Sequence, residues 1–171
     1  MKQWLGRLSF ILMVVAGAMM CLMMVHITID VAMKYFLNAP WQGTVETVSY
    51  YYMIGAIYLP LAYVELRGKH ISVELLYDRF SPRGKMIALV FAQLCAMLFF
   101  GILAFQGWID AIRSFRIGEI IMGSITLQIW PSRFFLPISF TLVTLVSLLR
   151  LVEEVLFGRP LPTTFAQLFR D

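Results

Sequence analysis

The chain has 171 residues, 60% hydrophobic and only 14% charged, with a mean hydropathy of +0.80. A soluble domain carries about 45–50% apolar and about 25% charged residues, so this composition excludes an ordinary water-soluble globule and points to lipid as the solvent. The net charge of +4 is assigned to loops flanking a membrane, and a nucleic-acid partner is rejected.

Crossing the hydrocarbon takes about 20 apolar residues. The uncharged runs are Leu8–Ile29, Thr47–Val64, Met86–Ile109 and Phe134–Leu149. The fourth has only 16 residues but lengthens if the helix starts at Trp130-Pro131-Ser132, where proline sits in a first turn that needs no N–H. Arg133 and Arg150 then snorkel to the two interfaces, and Pro137 kinks the second turn. The expectation is an all-α integral membrane protein: a single domain over residues 1–171 with four transmembrane helices at about 8–29, 45–64, 86–109 and 130–152. Trp4, Trp41, Trp108 and Trp130 fall at the expected helix ends, as an interfacial belt requires.

The first run has a basic start, Lys2 and Arg7, and a small-residue stretch, Ala16-Gly17-Ala18. Because the apolar run continues well past Ala18, it reads as an uncleaved anchor rather than a signal peptide. A cytoplasmic N-terminus places ten Lys and Arg residues inside and four outside (Lys34, Arg113, Arg116 and Arg133). Both termini are therefore expected in the cytoplasm.

Between the second and third spans, Ser72 caps an expected short helix running to Phe80. Between the third and fourth, Asp110–Glu119 alternates Ile112 and Phe115 with Arg113 and Arg116, which predicts a short helix lying in the interface. Gly118 and Gly123 break it before the uncharged segment Ile120–Ile129, expected to dip into the membrane edge.

Ala88, Ala92 and Ala96 share one face of the third span, suited to close helix packing within the bundle or against a partner. Met19, Met20, Met23 and Met24 read as apolar filler, and Cys21 and Cys95 as inert buried thiols. His26 and Asp30 stand at i, i+4 near the outer end of the first span: a local hydrogen-bonded pair, or a relay or haem ligand. Arg67, Lys69 and His70 form a basic cytoplasmic loop patch facing lipid headgroups or protein. Gln93 and Gln106 are expected to hydrogen-bond between helices. No Ser-His-Asp set, zinc motif or phosphate-binding loop is present, so the chain is read as a non-enzyme holding no cofactor or metal.

The stretch Val31-Ala-Met-Lys34-Tyr35-Phe36-Leu-Asn38-Ala-Pro40-Trp41, followed by Glu46, resembles the signature after the first helix in the small membrane subunits of tripartite ATP-independent periplasmic (TRAP) transporters, the DctQ/SiaQ family. Pro60-Leu-Ala62-Tyr63, then Arg67-Gly68-Lys69-His70-Ile71-Ser-Val73-Glu74, is similar to that family's second-helix exit and loop. Leu127-Gln-Ile-Trp130-Pro131 and Leu136-Pro137-Ile-Ser-Phe140 are similar to the start of its fourth helix. Lys34 replaces a more frequent arginine and Glu74 a common aspartate.

This resemblance implies a scaffold subunit in the bacterial inner membrane. Its partners are a large membrane subunit that carries substrate and sodium, a periplasmic binding protein, and lipid. The uptake it serves is of an organic acid such as a sialic acid or a C4-dicarboxylate. Asp30, Lys34, Asn38, Trp41 and Glu46, with Arg113 and Arg116 nearby, are the candidate docking residues for the binding protein. A self-contained channel, or a redox subunit ligating haem through His26 and a methionine, are the competing readings.

Overall fold

A computed structural model describes residues 2–66 and 82–152. Helix α1 (Lys2–Leu37) is followed by a broken helical run. It consists of α2 (Thr44–Thr47), a π-turn segment (Val48–Tyr52), α3 (Met53–Tyr58) and α4 (Leu61–Leu66). Then come α5 (Pro82–Ile117), strands β1 (Ile120–Met122) and β2 (Thr126–Gln128), α6 (Trp130–Arg133) and α7 (Phe135–Leu151). Among the described residues, three helical stretches are long and apolar enough to cross a membrane: Trp4–Leu37, Val90–Ile117 and Trp130–Leu151. The expected helix at Ser72–Phe80 and the loop residues Arg67, Lys69 and His70 lie outside the described residues.

No proline or charge interrupts α1 between Leu8 and Ile29, so the helix propagates once begun. Its 36 residues span about 54 Å at 1.5 Å each, well beyond the hydrocarbon thickness, and its last two turns carry Asp30 and Lys34 out of the apolar run. Asn38, at φ 50, ends it. Asparagine tolerates this left-handed conformation better than most residues, and Pro40 prevents resumption.

The second expected span is helical but divided. Pro60 has no N–H to give the preceding turn, so α3 and α4 part at Leu59-Pro60. The Ser139 hydroxyl donates to the Tyr58 carbonyl at this break, supplying a partner where the ladder is interrupted.

One expectation for the third loop is corrected. Residues 110–117 are the continuation of α5, not a separate interfacial helix. No breaker stands between Asp110 and Ile117, so an established helix has no reason to stop. It stops at Gly118, φ 60, with the Glu119 N–H donating to the Ser114 carbonyl at 3.0 Å and the Gly118 N–H to Phe115 at 3.2 Å. This is a Schellman cap. The segment Ile120–Ile129 contains an antiparallel hairpin with Ile120 opposite Gln128 and Met122 opposite Thr126. The Ile129 N–H closes its base on the Glu119 carbonyl at 3.0 Å.

The fourth helix does begin with Pro131 in its first turn. Its break lies at Phe134, the start of the second turn, where the kink from Pro137 is expected. A proline ring clashes with the carbonyl of residue i−4; for Pro137 this is Arg133, one residue before the break.

Helix α7 is the central element, packing most extensively along α5 and also touching α4 and α3. A cluster of Ala62, Leu142 and Val143 is backed by Leu5, Leu12, Phe100 and Ile138. The α5–α7 crossing is tight at Gly107, where an added Cβ would lie 3.2 Å from Leu136 and 3.3 Å from Pro137. By contrast, α1 and α5 leave most of their apolar side chains uncovered, among them Ile11, Leu22, Phe91, Leu98 and Phe105. Ala92 is exposed and Ala88 and Ala96 half-buried, so the small-residue face is not sealed by this chain. Cys21 and Cys95 are exposed, correcting the expectation of buried thiols. Among the described residues, the outward sides of α1 and α5 have few neighbours to bury them.

Candidate functional site

The candidate docking residues gather at the end of the bundle that holds the hairpin. Asp30 Oδ1 accepts the Trp41 N–H at 2.7 Å, tying the end of α1 to the chain that follows it. The His26 ring lies 5.2 Å from that of Trp41 and 5.9 Å from that of Tyr52. No hydrogen bond joins His26 to Asp30, and His26 Nε2 is buried without a partner among the described residues. The expected local pair is thus replaced by a corner in which both side chains hold Trp41. The π-turn, with its wider ring of hydrogen bonds, carries Tyr51 and Tyr52: Tyr52 packs on His26, and the Tyr51 hydroxyl donates to the Gln128 carbonyl of β2.

The same corner grips the hairpin tip. Glu46 Oε1 accepts both the Ser124 N–H, at 2.6 Å, and the Ser124 hydroxyl, at 2.8 Å. The Gly43 N–H donates to the oxygen of that hydroxyl at 3.1 Å. Gly43 has φ 86, and a Cβ there would overlap Ile125. Glu46 therefore acts inward, as a clamp between two segments 78 positions apart.

At the hairpin base, Glu119 accepts the Ser114 hydroxyl proton and two bonds from Arg133, at 2.8 Å from Nη2 and 3.2 Å from Nε. These bonds, those from Arg133 first, hold the Glu119 carboxyl below its ordinary value of 4.5. Lys34, Arg113 and Arg116 are exposed and make no ion pair among the described residues. The structure thus brings Asp30, Trp41 and Glu46 together with the hairpin, and leaves Lys34, Asn38, Arg113 and Arg116 on the surface.

At the opposite end lies a cluster that charge counting along the sequence missed. Glu65, 3% exposed, accepts at Oε1 from Gln93 Nε2 at 3.1 Å, Ser147 Oγ at 3.4 Å and Arg150 Nη1 at 3.5 Å. Arg150 turns inward, its side chain 15% exposed, instead of snorkelling to the interface; a buried carboxylate is costly unless charged and hydrogen-bonding groups face it. Gln93 bonds between helices as expected. Gln106 does not: it donates to Asp110 on its own helix at 3.2 Å. The missed signal was that Glu65 and Arg150 each stand just past an apolar run at what is then the same depth.

Residues 23–157 match the family model for tripartite ATP-independent periplasmic transporters, DctQ component. The chain belongs to the DctQ family. No curated protein and no solved structure matches it. This DctQ chain is the small membrane component of a TRAP transporter, a mostly helical, multi-pass membrane protein. Its family membership implies partners of the large-subunit and binding-protein kinds.

Proposed function

We propose that this DctQ subunit braces the large transport subunit and helps to seat the periplasmic binding protein. The uptake it serves is sodium-coupled and of an organic acid of the sialic acid or C4-dicarboxylate class. It crosses the bacterial inner membrane four times with both termini in the cytoplasm; the broken run Thr44–Leu66 is the fourth crossing. Discontinuous helices are tolerated at membrane depth where protein surrounds them, and α3 and α4 pack against α1 and α7. The ten-to-four distribution of Lys and Arg supports this orientation. Its one opposing feature, the arginines of the third loop, is weakened by the pairing of Arg133 with Glu119.

The observation that carries the brace reading is the uncovered apolar surface of α1 and α5. A groove of about 480 Å³ lined by Leu5, Leu8, Ile11, Leu145 and Leu148 also stands open between α1 and α7. Helices apolar on all sides need lipid or other helices around them, and a large subunit supplies the latter. The test is reconstitution. The chain alone in liposomes moves no organic acid under a sodium gradient, whereas the complex with the large subunit and binding protein does. Uptake by the chain alone would overturn the reading. Lys34→Glu or Arg113→Glu weakens uptake while the complex still purifies intact; wild-type uptake in both would remove the docking role.

A further inference from the structure

The eight charged side chains at the hairpin end balance formally, but they are not presented equally. On the acidic side, Asp30 and Glu46 are half-buried and accept backbone N–H groups of Trp41 and Ser124. Glu119 is engaged by Ser114 and Arg133. Asp110 is exposed and accepts from Gln106. On the basic side Arg133 is neutralised by Glu119, whereas Lys34, Arg113 and Arg116 are exposed and unpaired among the described residues. The charges offered outward are therefore three cations against one carboxylate.

These cations stand on a prepared platform. The Glu46–Ser124 bonds and the Tyr51–Gln128 contact tie the α1 corner to the hairpin. On the elements that carry Lys34 and the hairpin, Tyr35, Phe36 and Met122 are about four-fifths exposed, at 82%, 79% and 82%. Tyrosine and arginine are among the side chains that dominate protein interfaces. Arginine's fork matches a carboxylate in two bonds.

We infer that this end of the subunit is a cationic docking ledge, and that the surface it receives on the soluble binding protein is acidic. The inference rests on the proposed docking role and adds the chemistry of the partner's face. Carboxylates on that face meet Arg113, Arg116 and Lys34, while apolar groups cover Tyr35, Phe36 and Met122.

The experiment measures association of the purified cognate binding protein with the intact membrane complex. The complex is held in nanodiscs of zwitterionic lipid and, separately, of lipid containing phosphatidylglycerol. Wild-type association slows as salt rises. Arg113→Glu with Arg116→Glu slows it about tenfold at low salt and flattens the salt dependence equally in both lipids, while Arg113→Lys with Arg116→Lys keeps most of it. Tyr35→Ala with Phe36→Ala weakens binding without changing the salt slope. If the charge reversals bind as wild type while the aromatic truncation weakens binding, docking stands and the acidic partner face is wrong. If neither set of changes has an effect, the docking role itself fails. An effect confined to discs with phosphatidylglycerol would assign the arginines to lipid headgroups and overturn the inference.

Discussion

Glu65 and Arg150, 85 positions apart, approach to 3.5 Å inside the bundle, where Gln93 and Ser147 donate to the same carboxylate oxygen. The contact joins α4, α5 and α7 at the end opposite the hairpin. In a membrane, helix association lacks the hydrophobic drive it has in water. A directional polar contact of this kind helps to specify which helices meet and at what height.

Removing either residue takes a charged partner from the other inside the bundle. Glu65→Gln or Arg150→Met is expected to destabilise the complex by up to about 3 kcal/mol, the low end for a broken buried pair because Arg150 keeps some solvent access. The double substitution Glu65→Met with Arg150→Met is expected to cost less than the sum of the single changes. Unfolding in detergent, monitored by thermal melting of the purified complex, reads both numbers; additive losses would show that the pair is not coupled.

Gly43 carries the turn that lets Glu46 reach the hairpin. At φ 86 an L side chain is strained, and its Cβ would meet Ile125. Gly43→Ala is expected to destabilise this corner by roughly 1–2 kcal/mol. The effect is read as faster hydrogen exchange at Ser124 and Gly43, with exchange in α7 unchanged.

How much of this was visible in the sequence differs by feature, for physical reasons. Long uncharged runs announce helices because lipid penalises charge at every position, and α1, α5 and α7 follow them. The hairpin was hidden because strands of three residues are too short to display alternation; Gly123-Ser124 was the one turn signal on offer. The Asp110–Ile117 segment misled because alternating Ile and Arg suit an interfacial helix as well as the solvated last turns of a crossing one. Pro60 sat inside an apolar run whose lack of charge masked the break it makes. The candidate docking residues could be grouped from the sequence, since they fall in one stretch and at the end of one apolar run. That Asp30 and Glu46 act as internal clamps was not, because Trp41 and Ser124 offer them backbone N–H groups, and these carry no sequence signature.

The Glu119–Arg133 pair sets a pH dependence. Bonds from Arg133 and Ser114 depress the Glu119 carboxyl below 4.5. A carboxyl more acidic when folded than when unfolded contributes stability that is complete above the unfolded value and is lost as pH falls through the folded one. The base of the hairpin is therefore expected to be pH-insensitive near neutrality and to loosen below about pH 4.5. Glu119→Gln removes that acid-side change while keeping an acceptor for Ser114. Exchange at the Ile129 amide, which donates to Glu119, checks this; unchanged acid sensitivity in the variant would place the titrating group elsewhere.

Asp30 separates a structural role from a direct one. Its Oδ1 holds the Trp41 N–H at 2.7 Å, a bond worth about 1.5–3 kcal/mol when charged and shielded, and less at this half-buried corner. Asp30→Asn keeps an acceptor oxygen in place, whereas Asp30→Ala leaves the Trp41 N–H to water. If Asp30 serves the fold of the corner, Asp30→Asn retains most uptake and binding-protein association, and Asp30→Ala loses both together with protection of the Trp41 amide. If it is itself a docking contact, both substitutions reduce association alike while the amide in Asp30→Asn stays protected. The half-buried setting and the inward bond favour the first outcome, so the free cations, not Asp30, are expected to carry the charge dependence of docking.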